Sequence, residues 1–160
     1  MANTYLDQLV EYPAKIMQII SEDTICVGFL ANKEFAEVTE DDFEWALEKR
    51  IYDYQYVDET ADEASAYVWV ETEVNRVENS KIKDMRIYIT VTCHKEFMKL
   101  NCKTFKGMIG NRRDNLSRYI DKLFNGKSIM GIGALRLKNV RSVAPATGFT
   151  GRELCYEIRD

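Results

Sequence analysis

Two stretches of alternating residues, one soon after the other, limit what this chain can fold into more than any other feature. Val68, Val70, Thr72 and Val74 alternate with Tyr67, Trp69, Glu71 and Glu73, and Ile87, Ile89, Val91 and Cys93 alternate with Tyr88, Thr90 and Thr92. Successive side chains on an extended strand point to opposite faces, so a sustained period of two specifies a half-buried strand. The polar connection from Glu78 to Asp84 predicts that the two pair as an extended antiparallel hairpin. A sheet built on such a hairpin has one apolar face, which other elements must cover.

Helices are available for that purpose. Leu116, Tyr119, Ile120, Leu123 and Phe124 fall at i, i+3, i+4, i+7 and i+8, with Asn111 as a candidate N-cap and Gly126 just past the end. Thr39 followed by Glu40, Asp41 and Asp42 places a hydroxyl cap and three carboxylates at the positive end of a helix dipole, which predicts a helix over 40–50. Mixed steps of three and four from Tyr5 to Ile20 predict a third helix over 3–20, kinked or divided at Pro13. Ile25, Val27 and Phe29 alternate with smaller residues and predict a short strand over 24–30.

Tyr52, Tyr54 and Tyr56 recur at every second position before a polar loop over 58–65. Near the C-terminus, Leu135 and Leu137 alternate with Arg136 and Lys138, and Leu154, Tyr156 and Ile158 follow the turn at 145–151, which predicts two antiparallel closing strands. The order lacks regular βαβ alternation. It predicts one α+β domain over 1–160, a twisted and mainly antiparallel sheet with helices packed on one face. With 46% hydrophobic residues the chain has enough apolar material for a single core.

The motifs that would carry chemistry are incomplete. Gly126-Lys127-Ser128 ends like a phosphate-binding loop, but Asp121 stands where the first glycine belongs and the segment follows a helix. Gly131-Ile132-Gly133 meets Arg136 where a dinucleotide fingerprint needs its third glycine. Glu71 and Glu73 could hold magnesium only with further carboxylates, and their alternation reads as the solvated face of a strand. Cys26, Cys93, Cys102 and Cys155 form no Cys-x-x-Cys pair and have one histidine, His94, among them, so neither a zinc site nor a disulfide framework is expected. Cys26, Cys93 and Cys155 fall in segments read as strands and are expected to be reduced core residues. Asn115-Leu116-Ser117 matches a glycosylation acceptor but lies inside the clearest helix. No catalytic site, metal or cofactor is therefore expected.

The start lacks a basic n-region and an apolar h-region, and no apolar run approaches the ~18 residues needed to cross a bilayer, so neither export by such a signal nor a membrane anchor is expected.

Charge is distributed unevenly. Residues 1–80 hold five Lys/Arg against nineteen Asp/Glu, and residues 81–160 hold seventeen against seven, giving −14 and +10. Three arrangements accommodate this: an internal seam, copies packed head to tail, or a basic half directed at phosphates. Arg112 and Arg113 add a local clue. Cations in a first helical turn oppose the dipole by a few tenths of ~1 kcal/mol each, which suggests pairing with a neighbour's carboxylates, a phosphate, or Asp114 beside them. Arg112, Arg113 and Arg118, against Glu40, Asp41 and Asp42, are the candidate interface residues.

Four segments of the C-terminal half carry a resemblance. They are Ile87-Tyr88-Ile89-Thr90-Val91-Thr92-Cys93-His94-Lys95, Gly110-Asn111-Arg112-Arg113-Asp114 opening the helix, Gly131-Ile132-Gly133-Ala134-Leu135, and Gly151-Arg152-Glu153-Leu154-Cys155-Tyr156-Glu157-Ile158. Over residues 45–160 the chain resembles the neck and tail-completion proteins of tailed bacteriophages, most closely the tail-terminator type; residues 1–40 lie outside the resemblance. It implies a homo-oligomeric ring, commonly a hexamer, that caps the tail tube in the virion neck. Its partners would be further copies, the tail-tube protein and the head-tail connector proteins, with DNA passing through the lumen without sequence-specific contact and no membrane involved. Assembly would take place in the cytoplasm of the bacterial host.

Three functions follow as expectations. The first is the structural ring subunit, as a terminator or another head-tail connector subunit. The second is a nucleic-acid-binding module using Lys95, Lys99, Lys103, Lys106, Arg112, Arg113 and Arg118. The third is a small enzyme around His94 and Cys102.

Overall fold

The computed structural model of the chain describes residues 6–57, 64–79, 81–129, 131 and 133–158. Residues 3–5 of the expected first helix, 58–63 of the polar loop and Ile132 of the glycine-flanked segment lie outside them.

The chain starts with α1 (Asp7–Ser21), which runs through Pro13 as one helix instead of dividing there. Tyr12, Ile16 and Ile20 form its buried face. The strand expected over 24–30 is a helix, α2 (Thr24–Ala31). The Asp23 carboxylate caps it by accepting the Cys26 N–H at 2.9 Å, and Asn32 ends it in the left-handed conformation at φ 57°. Cys26 through Leu30 are all buried, so no polar face interrupts the run, and the alternation that suggested a strand reflects residue size alone. A 3-10 turn over Phe35–Glu37 leads to α3 (Glu40–Lys49), where expected. Its Asp42 carboxylate accepts the Thr39 N–H at 2.9 Å and the Thr39 hydroxyl at 3.2 Å.

The sheet has five strands among the described residues, ordered β1-β2-β3-β5-β4. They are β1 (Ile51–Tyr52), β2 (Ala66–Glu78), β3 (Lys81–His94), β4 (Leu135–Val143) and β5 (Phe149–Ile158). β1 pairs parallel to β2, and every other pairing is antiparallel. The expected hairpin is present but longer than its alternation indicated. Most of the polar Glu78–Asp84 connection is strand, because the ladder continues through two register irregularities to Glu78↔Lys81. Among the described residues the β3–β5 pairing ends at Met85↔Ile158, while β2 and β3 go on pairing to Glu78↔Lys81. The fold is α+β, as the sequence predicts, with a mixed, mostly antiparallel sheet.

The last helix, α4 (Arg112–Phe124), is capped by the Asn111 side chain, which accepts the Asp114 N–H at 2.8 Å. Gly126 follows at φ 79°, where a glycine carries no Cβ penalty, and its N–H meets the Leu135 carbonyl at 2.7 Å. That glycine closes the helix end.

One core joins these parts. Ile16, Ile20, Val27, Phe29, Leu116, Ile120 and Phe124 of the helices meet Val68, Val70, Ile87, Ile89, Val91, Leu154 and Tyr156 on one face of the sheet. Tyr67 and Trp69 point to the other face and are buried there too, with Tyr56, Phe149 and His94 packed as an aromatic group around Tyr67 and Phe149. Away from that group the second face is open and charged: Glu71, Glu73, Arg141 and Glu153 surround Tyr88.

Candidate functional site

Arg112 and Arg113 do not present their charge to a neighbour. Arg112 is 1% exposed, and each of its three guanidinium nitrogens donates within the chain: Nε to the Phe97 carbonyl at 2.9 Å, Nη1 to the Phe29 carbonyl at 2.6 Å, and Nη2 to Asn32 Oδ1 at 2.8 Å. Its guanidinium lies 3.7 Å from the Phe97 ring centre. Burial pushes its pKa down to about 10, with Cys93 acting the other way, so it remains a cation at neutral pH. Neutral acceptors and an aromatic face hold it, which explains how a cation is tolerated in the first turn.

Arg113 turns the opposite way. Its Nη1 donates to Thr150 Oγ1 at 2.6 Å and its Nε to Asp114 Oδ1 at 3.0 Å. Asp114 also accepts from Arg152 Nε at 2.8 Å and from Asn111 Nδ2 at 3.0 Å. Burial alone would raise the Asp114 carboxyl; the hydrogen bonds from Arg152, Arg113 and Asn111 outweigh it and hold the group well below the usual carboxylate range. The first turn of α4 is thus an internal junction linking α2, the loop at 97 and β5.

The remaining candidate residues lie nearer the surface. Arg118 is exposed, and its Nη2 donates to Asn115 Oδ1 at 2.9 Å. Glu40 and Asp41 are exposed. Asp42 is paired with Lys33 at 2.8 Å, and bonds from Lys33 and Thr39 lower its pKa. Glu40 and Glu44 line a groove between α1 and α3 with Glu22, Phe43 and Leu47. No candidate cation pairs with a candidate carboxylate among the described residues: Asp42 is held by Lys33, and Arg113 by Asp114. Of the seven residues of the basic patch, Arg112 and Arg113 are buried, while Lys95, Lys99, Lys103, Lys106 and Arg118 are exposed.

His94 caps the 3-10 turn Lys95–Phe97, with Nδ1 accepting the Glu96 N–H at 3.2 Å. Cys102 is exposed, and among the described residues no hydrogen bond joins it to His94. Among the described residues no group of three His, Cys, Asp or Glu is placed to hold a metal. In the same residues no helix is long and apolar enough to cross a membrane.

The charged surfaces that sequence reasoning missed are the two edges of the sheet. β4 is the outermost strand at one end, with Arg136, Lys138 and Arg141 exposed along it. At the other end β1 covers β2 only at Val68 and Trp69. From Val70 onward β2 has no second partner among the described residues, and it carries Glu71, Glu73 and Glu78. Two cross-strand links tie β4 cations to β5 carboxylates, Lys138 to Glu157 at 3.5 Å and Arg141 to Glu153 at 2.8 Å, and Arg86 of β3 approaches the same Glu157 at 3.7 Å. The alternation of cations at 136 and 138 was visible in the sequence. That they sit on an edge depends on strand order, which was not.

A family model, YomW, matches residues 13–158, nearly the whole chain. The chain belongs to the YomW family. YomW is a phage-derived family, which agrees with the phage origin expected from the C-terminal segments. The YomW match also takes in most of the N-terminal stretch that the resemblance left out. No curated protein and no solved structure matches the chain.

Proposed function

We propose that this YomW-family protein is a structural ring subunit of a phage neck, of the tail-terminator type, which caps the tail tube and joins it to the head connector. It does so by contact and carries out no catalytic step. The observation that carries this reading is the separation of charge. The exposed carboxylates Glu40, Asp41 and Glu44 belong to α3, which packs beside β1 at one end of the strand order, and Arg136, Lys138 and Arg141 lie on β4 at the other. A subunit with unlike surfaces at its two ends suits head-to-tail contacts that close into a ring. The phage-derived family supports the setting.

Light scattering and negative-stain microscopy of the purified protein test it. Ring-sized particles are expected at low salt, dissociating as ionic strength rises towards ~1 M, where the screening length falls to about 3 Å. A monomer at every salt and protein concentration overturns the ring. Addition of the ring to growing tail tubes should stop their elongation; a ring that binds only connector proteins assigns the chain to another head-tail connector position.

A further inference from the structure

We infer a specific contact between copies, which rests on the ring reading: the loop at 95–110 of one copy seats Ile109 in the acidic groove between α1 and α3 of the next.

The loop holds an apolar side chain out on a braced backbone. Ile109 is 88% exposed, more than any other large hydrophobic residue among the described residues. Its carbonyl accepts Asn115 Nδ2 at 2.8 Å, and the Arg112 N–H donates to the Met98 carbonyl at 2.8 Å. Phe105 is buried and stacks on Phe29 with ring centres 5.2 Å apart, and Asn101 Oδ1 accepts the Lys103 N–H at 2.9 Å. Gly110 follows at φ 86°, a conformation that glycine adopts freely. A single exposed apolar residue is ordinary on a protein surface. Ile109 differs in its bracing and in the charge around it.

That charge is basic. The loop carries Lys95, Lys99, Lys103 and Lys106 against Glu96 alone. All four lysines are exposed, and none makes an ion pair among the described residues. The loop is thus a second basic surface beside β4, where Lys138 and Arg141 already meet Glu157 and Glu153 within the chain.

The groove has the complementary make-up. It encloses about 470 Å³ and is lined by Phe43 and Leu47 together with Glu22, Glu40 and Glu44. Phe43 and Leu47 lie one helical turn apart on α3, and so do Glu40 and Glu44, where like charges repel. Glu22, just past the end of α1, adds a third carboxylate, which accepts the Gln18 side-chain N–H. Among the described residues none of the three has a cation partner. An apolar tip flanked by lysines fits such a groove: Ile109 displaces water from Phe43 and Leu47, and the lysines turn repulsion among the carboxylates into attraction. Loop and groove share no residue, so the contact is heterologous, and each copy offers its loop to one neighbour and its groove to another.

Charge reversal on each side tests the contact. Lys103→Glu with Lys106→Glu makes the loop acidic, and Glu22→Lys with Glu44→Lys makes the groove basic. Glu40 is left in place because it serves the first turn of α3. Each reversed chain is expected to need about tenfold more protein to assemble, and Ile109→Ser to weaken assembly with no change of charge. All five side chains are exposed, so circular dichroism and melting should match the parent chain. An equimolar mixture of the two reversed chains, or all four charge changes in one chain, should restore assembly. Parent-like rings from all three variants, or losses that neither the mixture nor the combined chain repairs, overturn the contact and leave the ring standing. Discrete pairs in place of rings, lost on either reversal and restored by the mixture, keep the contact and overturn the ring. A parent protein that stays monomeric overturns both.

Discussion

Arg112 Nη1 lies 2.6 Å from the carbonyl oxygen of Phe29, tying the first turn of α4 to the buried helix α2 across 83 positions of sequence. The same side chain also serves the Phe97 carbonyl and Asn32. One buried cation thus satisfies acceptors from three segments that no regular hydrogen-bonding pattern would join.

Arg112→Ala is therefore expected to destabilise the fold severely. It leaves the buried Phe29 carbonyl unpaired at about 1–3 kcal/mol, removes two part-buried bonds and opens a cavity beneath Phe97. A loss of at least ~3 kcal/mol, read as a lower urea midpoint with an unchanged slope, is the expected outcome. Arg112→Lys should recover less than half, because one ammonium cannot replace a planar fork aimed at three divergent acceptors. Full stability in Arg112→Lys would show that charge, and not geometry, is what the junction needs.

Asp114 gives the junction a pH dependence. Its folded pKa is depressed, so its contribution is complete above the unfolded carboxylate value of about 3.9 and is lost as pH falls below it. The side chain is 40% exposed, and screening limits the contribution to roughly 1 kcal/mol. Asp114→Asn should lower the stability at pH 7 by about that amount, with the difference from the parent chain shrinking between pH 5 and about pH 2. A constant difference across that range would assign the effect to packing.

The sequence makes elements with a regular period legible, and loses those whose cause lies far along the chain. The stripe from Leu116 to Phe124 and the alternation at 67–74 and 87–93 mark the apolar faces, and each reappears as α4, β2 and β3, although Tyr67, Trp69, Thr90 and Thr92 are buried on the other face of the sheet too. α2 misleads because it is buried all round and has no polar face to give a period of 3.6; Asp23 and Asn32 at its ends were the signals to read. The unfavourable placement of Arg112 and Arg113 at a helix start was visible, but its resolution was not, since Phe29 and Thr150 reach them only in the folded chain. The edge charges were hidden for the same reason: Glu73 and Arg136 come to lie towards opposite ends of the sheet only through the order β2-β3-β5-β4.

Gly28 sits within α2 where the 3-10 turn folds back on it. A Cβ there would lie 2.5 Å from Phe35 Cδ1 and 3.2 Å from the Lys33 carbonyl oxygen. The Phe35 ring is packed edge-on to Phe29 and tilted against Phe105, with centroids 5.3 and 5.7 Å away, so it must displace part of the core to move. Gly28→Ala should therefore destabilise by about 1–3 kcal/mol despite the higher helix propensity of alanine. Gly28→Ala combined with Phe35→Leu should be less destabilised than the two single effects summed, and strict additivity would place the strain elsewhere.

The four cysteines divide by environment. Cys26, Cys93 and Cys155 are buried and Cys102 is exposed. Burial pushes the Cys93 thiol up to about 12 against the opposing influence of Arg112 and Arg113; it also raises Cys26, helped by Asp23, and Cys155. Disulfide exchange needs a thiolate that a reagent can reach, and those three lack both conditions in the folded state. Titration of the native protein with an aromatic disulfide at pH 8 should show one fast thiol, with all four reacting once denaturant is added. Cys102→Ser should remove the fast phase and leave the melting temperature unchanged. A fast phase that survives the substitution would point to Cys155, which sits beside Tyr88 on the open face outside the helix-covered core, and its loss in Cys155→Ser would confirm that source.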